Sequence, residues 1–408
     1  MKFKIYFIVF FLLLIKTVNA QTSWPSINWN EATNLTPVMD VAGIKEASGL
    51  YWNLLTERLY VVLNDGRVRI LQYYSTANSF SQLASKSISG GPEGITMVNN
   101  SENAFYVIDE NNYQIIKYTN TPNFSTVTAS TSWNLLTAPS PMTDTGNTGP
   151  EGICFIPDSA LIRAEFISQV TGLPYTSQKG MGGLFFIANQ DQGYIWVFDL
   201  NPTVSNDFLY IGKYQTNRSE SCDLSFDNST GLLYILHNVD GNRLEVTDLS
   251  SAINGSQRKF NMVNEYYLPV PTSNTNIEGF AISNKCSATN TVSAWLCRDA
   301  SSSDSTTVLT DVLRWFFPFV SDGDCALGNE TFEMDKLKIY PNPVGNILQI
   351  QATDFMVTKL EIYNILGEKI ITQSESTTTM DISNLKQGLY FLFLSNENDT
   401  FKTTFIKK

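Results

Sequence analysis

The sequence predicts an all-β protein: a β-propeller, with five blades favoured and six as the alternative, followed by a small C-terminal β-sandwich. A short sequence motif, called a phrase below, occurs five times. It consists of an acidic residue, then a small residue and then an apolar residue. Each phrase precedes an apolar run that ends in polar residues. A period of about 40–50 residues with several strands in each unit is typical of a propeller. The acidic residues of the five phrases are Glu46, Glu93, Glu151, Glu220 and Glu278.

Residues 1–20 have the pattern of a signal peptide. Lys2 and Lys4 form a positive start, an apolar stretch follows, and Val18-Asn-Ala20 is a small-residue cleavage pattern. The apolar stretch is shorter than the roughly 20 residues that a membrane-spanning helix needs. We therefore expect an exported protein that begins at Gln21 and has no transmembrane segment in its mature chain.

The negative net charge of the mature chain limits which classes of molecule can be its binding partner. Removal of Lys2, Lys4 and Lys16 leaves 24 basic and 39 acidic residues, a net charge of −15. Nucleic acid and anionic lipid need a positive surface, so both are excluded as partners. Cations, neutral glycans, small molecules and other extracellular proteins remain.

The five cysteines allow pairing in an exported protein. Cys286 with Cys297 is a possible bridge between neighbouring strands of the fifth unit, and buried free thiols are the alternative for Cys154 and Cys222. Cys325 is the fifth cysteine.

The propeller is predicted to occupy residues 21–317. A strand within Leu35–Val41 precedes the first phrase and is placed to complete the last blade. Asp65-Gly66 and Asp240-Gly241 are hairpin turns. The fifth unit is degenerate and ends with a strand at Val312–Phe317; a sixth blade would have to come from residues 21–45 and 299–335.

The third unit contains an insertion. Its phrase and the end of its next apolar run are 38 residues apart, compared with 16 to 18 in the first, second and fourth units. The extra residues fall within 159–183, and Ala160–Val170 has a helical pattern. Such an insertion is either a functional loop or a tolerated surface excursion.

The acidic phrases are the candidate site. The first strand of each propeller blade lines the central channel, so the five glutamates are expected to converge at one mouth. Carboxylates that close must take up protons, bind a hard cation or meet basic partners. Ca²⁺ is the favoured cofactor; a repeated structural cap and an acid–base active site are the alternatives. Ligand-facing candidates at the ends of the apolar runs are Asn64, Asp109, Asn189 and Asn238.

Other chemistry has little support. A single histidine, His237, excludes a His-rich zinc site, and no motif supports a catalytic triad built on it. No P-loop or dinucleotide fingerprint is present. The tryptophans are predicted to be core residues rather than glycan platforms; they are Trp52, Trp133, Trp196, Trp295 and Trp315.

Residues 318–335 are predicted to be a linker, and residues 336–408 a separate domain. This tail resembles the type A C-terminal sorting domain of type IX secretion cargo in Bacteroidetes. The matching segments are Leu337–Pro343, Leu360–Gly367, Met380–Tyr390 and the basic end Ile406–Lys408. Within them the motif residues are Tyr340, Pro341, Asn342, Pro343, Gly367, Gly388 and Tyr390. The resemblance implies export by the type IX machinery, removal of the tail, and either release or attachment to the outer cell surface.

The phrases themselves resemble those of SdiA-regulated and esterase-like phytase propellers, and more distantly gluconolactonase-like and NHL propellers. Glu220–Ile235 is also similar to a stretch of the β-propeller phytases, which are Ca²⁺-dependent phosphatases. A phytate pocket needs basic residues, but here only scattered candidates exist: Lys45, Arg67, Arg69, Arg218, Arg243 and Arg298. We therefore predict a secreted binding or interaction module with a cation in its channel. A metal-dependent hydrolase of phosphoesters, lactones or glycans is the alternative.

Overall fold

The computed structural model describes residues 22–39, 46–272, 274–286, 292–301, 303–325, 337–352, 359–364, 369–373, 379–395 and 400–408. The predicted signal peptide lies outside these residues. The chain divides into two compact units, Met1–Ala326 and Leu327–Lys408.

The described part of the first unit contains five blades of four antiparallel strands each, arranged as a propeller. Strand β1 (Thr33–Asn34) precedes them in the chain. Blade 1 consists of β2 (Ala47–Asn53), β3 (Arg58–Leu63), β4 (Arg67–Tyr74) and β5 (Ser79–Ser87). Blade 2 consists of β6 (Pro92–Thr96), β7 (Ala104–Asp109), β8 (Gln114–Asn120) and β9 (Val127–Asn134). Blade 3 consists of β10 (Pro150–Pro157), β11 (Gly183–Asn189), β12 (Ile195–Leu200) and β13 (Phe208–Gln215).

Blade 4 consists of β14 (Asp223–Asp227), β15 (Leu232–His237), β16 (Arg243–Asn254) and β17 (Gln257–Tyr267). Its outer strand β17 pairs in parallel with β13, which joins blades 3 and 4 into one eight-stranded sheet. Blade 5 consists of β18 (Ile277–Ile282), β19 (Val292–Arg298), β20 (Leu313–Phe319) and β1.

The N-terminal strand closes the ring, as the sequence predicted. Thr33 pairs with Trp315 and Asn34 with Arg314, so β1 is the outer strand of blade 5. The predicted position of this strand is wrong, because it lies at residues 33–34 and is followed by a 3-10 helix, Thr36–Val38. Pro37, with its fixed φ and missing N–H, favours that turn over a strand. The segment before blade 1 therefore contributes to the fifth blade rather than to a sixth.

Apolar and aromatic side chains fill the space between blades. Trp133 and Trp295 are fully buried, and Trp52 stacks on Trp295 with ring centroids 4.7 Å apart. Trp196 and Trp315 are also buried, so the tryptophans belong to the core.

The insertion of the third unit interrupts the β10–β11 hairpin, as predicted. Its helix α1 is only Asp158–Arg163, shorter than the helix expected over Ala160–Val170. Glu165 adopts a left-handed backbone with φ of 47°, which ends the helix. The remaining helical turns of the propeller are a second 3-10 helix, Asp191–Gly193, and helix α2, Thr306–Leu309.

The disulfide joins Cys286 to Cys325, not Cys286 to Cys297 as the sequence suggested. Cys297 is a free, buried thiol in β19; Cys154 in β10 and Cys222, just before β14, are also free and buried. The Lys285 ammonium donates to the carbonyl of Ser321 at 3.0 Å and also to that of Gly323. The first part of the predicted linker is therefore bound to the propeller.

The second unit consists of two antiparallel sheets around one core. The first contains β21 (Leu337–Tyr340), β22 (Ile347–Ala352) and β25 (Thr379–Asp381); the second contains β23 (Lys359–Tyr363), β24 (Lys369–Gln373), β26 (Gly388–Ser395) and β27 (Thr400–Lys407). Leu348, Leu360 and Leu392 are fully buried in this core.

The motif residues of the tail take different positions in this unit. Tyr340 ends β21 and is exposed, and the Asn342 side chain accepts a hydrogen bond from the Ile406 N–H at 2.9 Å. Pro341 and Pro343 flank Asn342, and Gly388 begins β26. Tyr390 is buried and stacks on Phe405. Gly367 lies outside the described residues.

Candidate functional site

A β-bulge begins the first strand of four blades. The register shifts between Pro92 and Gly94 in blade 2, and blades 1, 3 and 5 have the same shift between Ala47 and Gly49, Pro150 and Gly152, and Ile277 and Gly279. Bulges re-aim side chains and are common next to functional sites. The residues at this position are Ser48, Glu93, Glu151 and Glu278, and the strand pairing places Cys222 there in blade 4.

The five phrases are therefore not equivalent in space. Glu93, Glu151 and Glu278 occupy the bulge, whereas Glu46 and Glu220 lie two residues before it in their own blades. When the first strands of the blades are aligned by their pairing, the position that matches is the residue after the bulge, and not the acidic residue.

That small residue is glycine because neighbouring first strands meet there. A Cβ on Gly94 would lie 2.7 Å from the Ile153 nitrogen, and one on Gly152 would lie 2.5 Å from the Asp223 Cα. In blade 4 the position holds Asp223, whose carboxylate crosses to other blades. Its Oδ2 accepts the N–H groups of Phe280 at 2.8 Å and Leu50 at 3.4 Å. Asp223 thus forms a floor beneath the bulge residues.

The residues that directly follow the second strand of each blade form a ring next to the bulge residues. The N–H of Asn64 donates to the carbonyl of Glu46, and Glu110 and Asp299 make the equivalent bonds in blades 2 and 5. The ring consists of Asn64, Glu110, Gln190, Asn238 and Asp299.

Two of the predicted ligand-facing residues instead hold turns, one position before this ring. Asp109 accepts the Gly91 N–H at 3.0 Å and the Asn112 amide at 2.8 Å. The Asn189 amide donates to the Asp191 carbonyl at 3.2 Å. Asn64 and Asn238 belong to the ring itself.

Together these positions form an acidic bowl at one mouth of the propeller. We use this name for seven carboxyl residues: Glu46, Glu93, Glu110, Glu151, Glu220, Glu278 and Asp299. Glu93, Glu110 and Glu151 are at most 8% exposed.

The carboxyl groups of the bowl act on one another. Burial raises the pKa of Glu93 to about 9, and the nearby Glu278 and Glu110 contribute to that rise. Burial, then Asp299, raises the pKa of Glu278 to about 8. Burial also raises the pKa of Glu151 well above its usual range, with Glu93, Glu278, Glu110 and Glu220 adding to the effect. If all seven carboxyls were ionised, the bowl would hold more negative charge than its surroundings can stabilise.

The bowl's hydrogen bonds are unevenly distributed. Glu93 accepts from the Asn64 amide, and the Ser48 hydroxyl donates to the Glu46 carbonyl at 3.1 Å. Glu278 accepts from the Asn276 amide at 2.6 Å, and Glu110 from the Gly149 N–H at 3.2 Å. No hydrogen bond from any described residue reaches the side chain of Glu151.

Basic partners are missing from the bowl as far as the structure describes the chain. No lysine or arginine of the described residues forms an ion pair with any of the seven carboxyls, and Lys45 lies outside those residues. Across the same residues, no three carboxyl, imidazole or thiol groups are arranged to hold one metal ion. A metal in the bowl would therefore need amide oxygens or water among its ligands.

The surroundings of His237 are those of a structural residue. It is fully buried, with Nδ1 2.6 Å from the Glu220 carbonyl oxygen and Nε2 3.2 Å from Glu245. Ser221 lies 3.3 Å from Nδ1, so the three side chains superficially resemble a triad. Both Ser221 and Glu245 are fully buried as well, and the serine hydroxyl donates to the Gly193 carbonyl. The group holds the backbone of Glu220 in place beside the bowl.

The sequence reasoning missed Glu110, Asn276 and Asp299. Glu110 and Asp299 are the last polar residues of the second and fifth apolar runs, in the position that Asn64 takes in the first. Aligning those runs by their apolar residues would have found both. No comparable signal marks Asn276.

Comparison with known proteins identifies the tail. Residues 338–408 match the profile of the secretion system C-terminal sorting domain. The protein is therefore a secreted protein, exported by type IX secretion and attached to or released from the cell surface. No helix in the described parts of the chain is long and apolar enough to cross a membrane.

The rest of the chain has weaker likenesses. No curated protein matches it. Among solved structures, it is similar to a protein from Lactobacillus plantarum, with 14% identity over 56% of each chain and a TM-score of 0.32. The chain thus spans about half the length of that relative.

Proposed function

We propose that this protein is a secreted binding module whose acidic bowl takes a cation, and that the cation is Ca²⁺. One observation carries the proposal: the bowl gathers seven carboxyl groups without a basic partner among the described residues. Glu151 is 8% exposed and receives no hydrogen bond from them. Buried carboxylates in that situation must be protonated or must meet a positive charge.

Ca²⁺ suits the oxygen atoms that the bowl offers. It accepts carboxylates, amide carbonyls and water in a flexible geometry of six to eight ligands. The side chains of Asn64, Asn238 and Asn276 lie among the carboxyls. A site with few carboxylates and several neutral oxygens fits the lack of a three-acid cluster in the described chain.

The arginines favour binding over phosphoester hydrolysis. Arg218 is held by Glu265 and Asp240, and Arg298 by Asp311. Guanidinium groups engaged in this way are not available to a phosphorylated substrate, and the bowl repels anions. The likeness of Glu220–Ile235 to the β-propeller phytases agrees with a calcium role more than with their reaction.

Isothermal titration of the mature chain with CaCl₂, compared with MgCl₂, tests the proposal. We expect uptake of one Ca²⁺ per chain and weaker binding of Mg²⁺, which demands a stricter octahedron. The Ca²⁺-loaded protein is then offered phosphoesters, lactones and glycans, and no turnover is expected. Absence of Ca²⁺ binding at millimolar concentrations would overturn the cation site. Metal-dependent turnover would replace the binding module with the hydrolase alternative.

A further inference from the structure

The chain leaves the fifth blade along residues 320–325, a short segment that we call the strap. A Cβ on Gly323 would lie 2.9 Å from the Cδ1 of Leu232, so the strap packs against the start of β15 in blade 4. Cys325 ends the strap and is bonded to Cys286, which follows β18 of blade 5. The strap therefore bridges two neighbouring blades.

Hydrogen bonds hold the middle of the strap. The Lys285 ammonium donates to the carbonyls of Ser321 at 3.0 Å and Asp322 at 3.5 Å. The Asp322 carboxylate accepts from the Asn264 amide at 2.9 Å and from the Tyr266 hydroxyl at 2.6 Å. Such bonds add little net stability, because the same groups bond to water when the segment is free, whereas ordering the backbone costs conformational entropy. The covalent bond at the end of the strap removes much of that cost.

The disulfide is the accessible sulfur group of the propeller. Cys325 is exposed, whereas the free thiols of Cys154, Cys222 and Cys297 are at most 5% exposed. Thiol–disulfide exchange requires access to the sulfur that is attacked. A soluble reductant therefore reaches this disulfide, and the buried thiols do not compete with it for exchange.

We propose that the Cys286–Cys325 disulfide is a redox-sensitive latch that fixes the strap to the propeller, and that a dithiol reductant opens it. One thiolate of the dithiol attacks the Sγ of Cys325, the bond between the cysteines breaks, and Cys286 leaves as a thiolate that takes up a proton. The second thiol of the reductant then displaces Cys325. Two electrons and two protons pass to the protein, and the reductant becomes a disulfide.

The blades do not depend on the latch for their closure. The ring is closed by the pairing of Thr33 with Trp315, outside the strap. Phe319, the last residue of β20, is 3% exposed and pairs with Val292 in β19. Opening the latch therefore frees the strap and leaves β20 in its sheet. The redox state sets the last residue that is fixed to the propeller: Cys325 when oxidised and Phe319 when reduced.

Native reduction followed by proteolysis tests the latch. The mature chain, with its sorting domain, is treated with dithiothreitol, alkylated with iodoacetamide, freed of reagents and digested with Asp-N protease, which cuts before Asp322 and Asp324. We expect alkylation at Cys286 and Cys325 alone, an unchanged circular dichroism spectrum, and cleavage in the strap about tenfold or more faster than in the oxidised chain. A reduced strap as resistant as the oxidised one would overturn the latch. So would alkylation of the buried thiols, because the disulfide would then hold the whole fold.

Two variants separate the disulfide from the hydrogen bonds. The double variant Cys286→Ser/Cys325→Ser has no latch, and its strap should be cut at the rate of the reduced wild type, with or without dithiothreitol. Lys285→Met keeps the disulfide and removes the ammonium, and its oxidised form should be cut within about twofold of the oxidised wild type. An oxidised Lys285→Met chain cut as fast as the reduced wild type would overturn the latch, since the ammonium would then hold the strap. Reduced wild type decides the question if the double variant fails to fold.

Discussion

The buried carboxyl of Glu93 predicts that the propeller loses stability as pH rises. In the folded chain its pKa is about 9, well above the ordinary value of 4.5. The folded state therefore binds this proton more tightly than the unfolded state between those two values. The contribution of Glu93 to stability is fully present below pH 4.5 and is lost as pH rises towards 9.

The size of this effect follows from the same shift. Each pH unit inside the window costs about 1.4 kcal/mol for one such group. Between pH 5 and pH 7, Glu93 alone lowers the free energy of unfolding by roughly 3 kcal/mol. Glu278, with a pKa of about 8, acts in the same direction.

Urea unfolding of wild type and Glu93→Gln at pH 5 and pH 7 measures this contribution. Glutamine cannot ionise, yet its oxygen still accepts from the Asn64 amide, so the variant should lose less stability between the two pH values. Glu102→Gln, an exposed position outside the bowl, is the matched control and should behave as wild type. Identical pH slopes for wild type and Glu93→Gln would refute the claim that burial raises the pKa of Glu93.

Three further predictions concern the fold. Asp223→Ala removes a buried carboxylate that accepts three N–H groups. In urea titrations it should lower the free energy of unfolding by about 3 kcal/mol or more. A variant as stable as wild type would contradict the role of Asp223 beneath the bowl. Gly152→Ala places a methyl group 2.5 Å from the Asp223 Cα, so a loss of about 1–3 kcal/mol is expected, and an unchanged thermal midpoint would argue against close contact of the first strands. Cys286→Ser opens a disulfide whose cysteines are 39 residues apart, and thermal unfolding should show a loss of about 4 kcal/mol, with no loss expected if Cys286 and Cys325 are unpaired.

Much of the fold was predictable because the repeat is local. The apolar runs and the Asp-Gly turns each specify a hairpin from a few neighbouring residues, and their number gave five blades. Closure of blade 5 by an N-terminal strand also followed from the lone strand before the first phrase. The position of that strand did not follow, because Pro37 favours a 3-10 turn where the strand was expected, and the strand lies before it at Thr33–Asn34.

The site was less predictable, because its register depends on contacts between blades. Glu46 precedes its glycine by three residues and Glu93 by one, and sequence similarity alone made them equivalent. Only the close approach of neighbouring strands shows that the glycine is the fixed point. The disulfide was missed for a related reason. Cys325 lies after β20, 39 residues from Cys286, and only the folded chain brings the two cysteines together.

A crystal structure of the mature chain grown with Tb³⁺ as a Ca²⁺ substitute tests the central claim most directly. The anomalous signal locates the ion without reference to any assumed site. We expect a single strong peak inside the acidic bowl. A bowl that contains only water at saturating Tb³⁺, with ions confined to the outer surface, would contradict it.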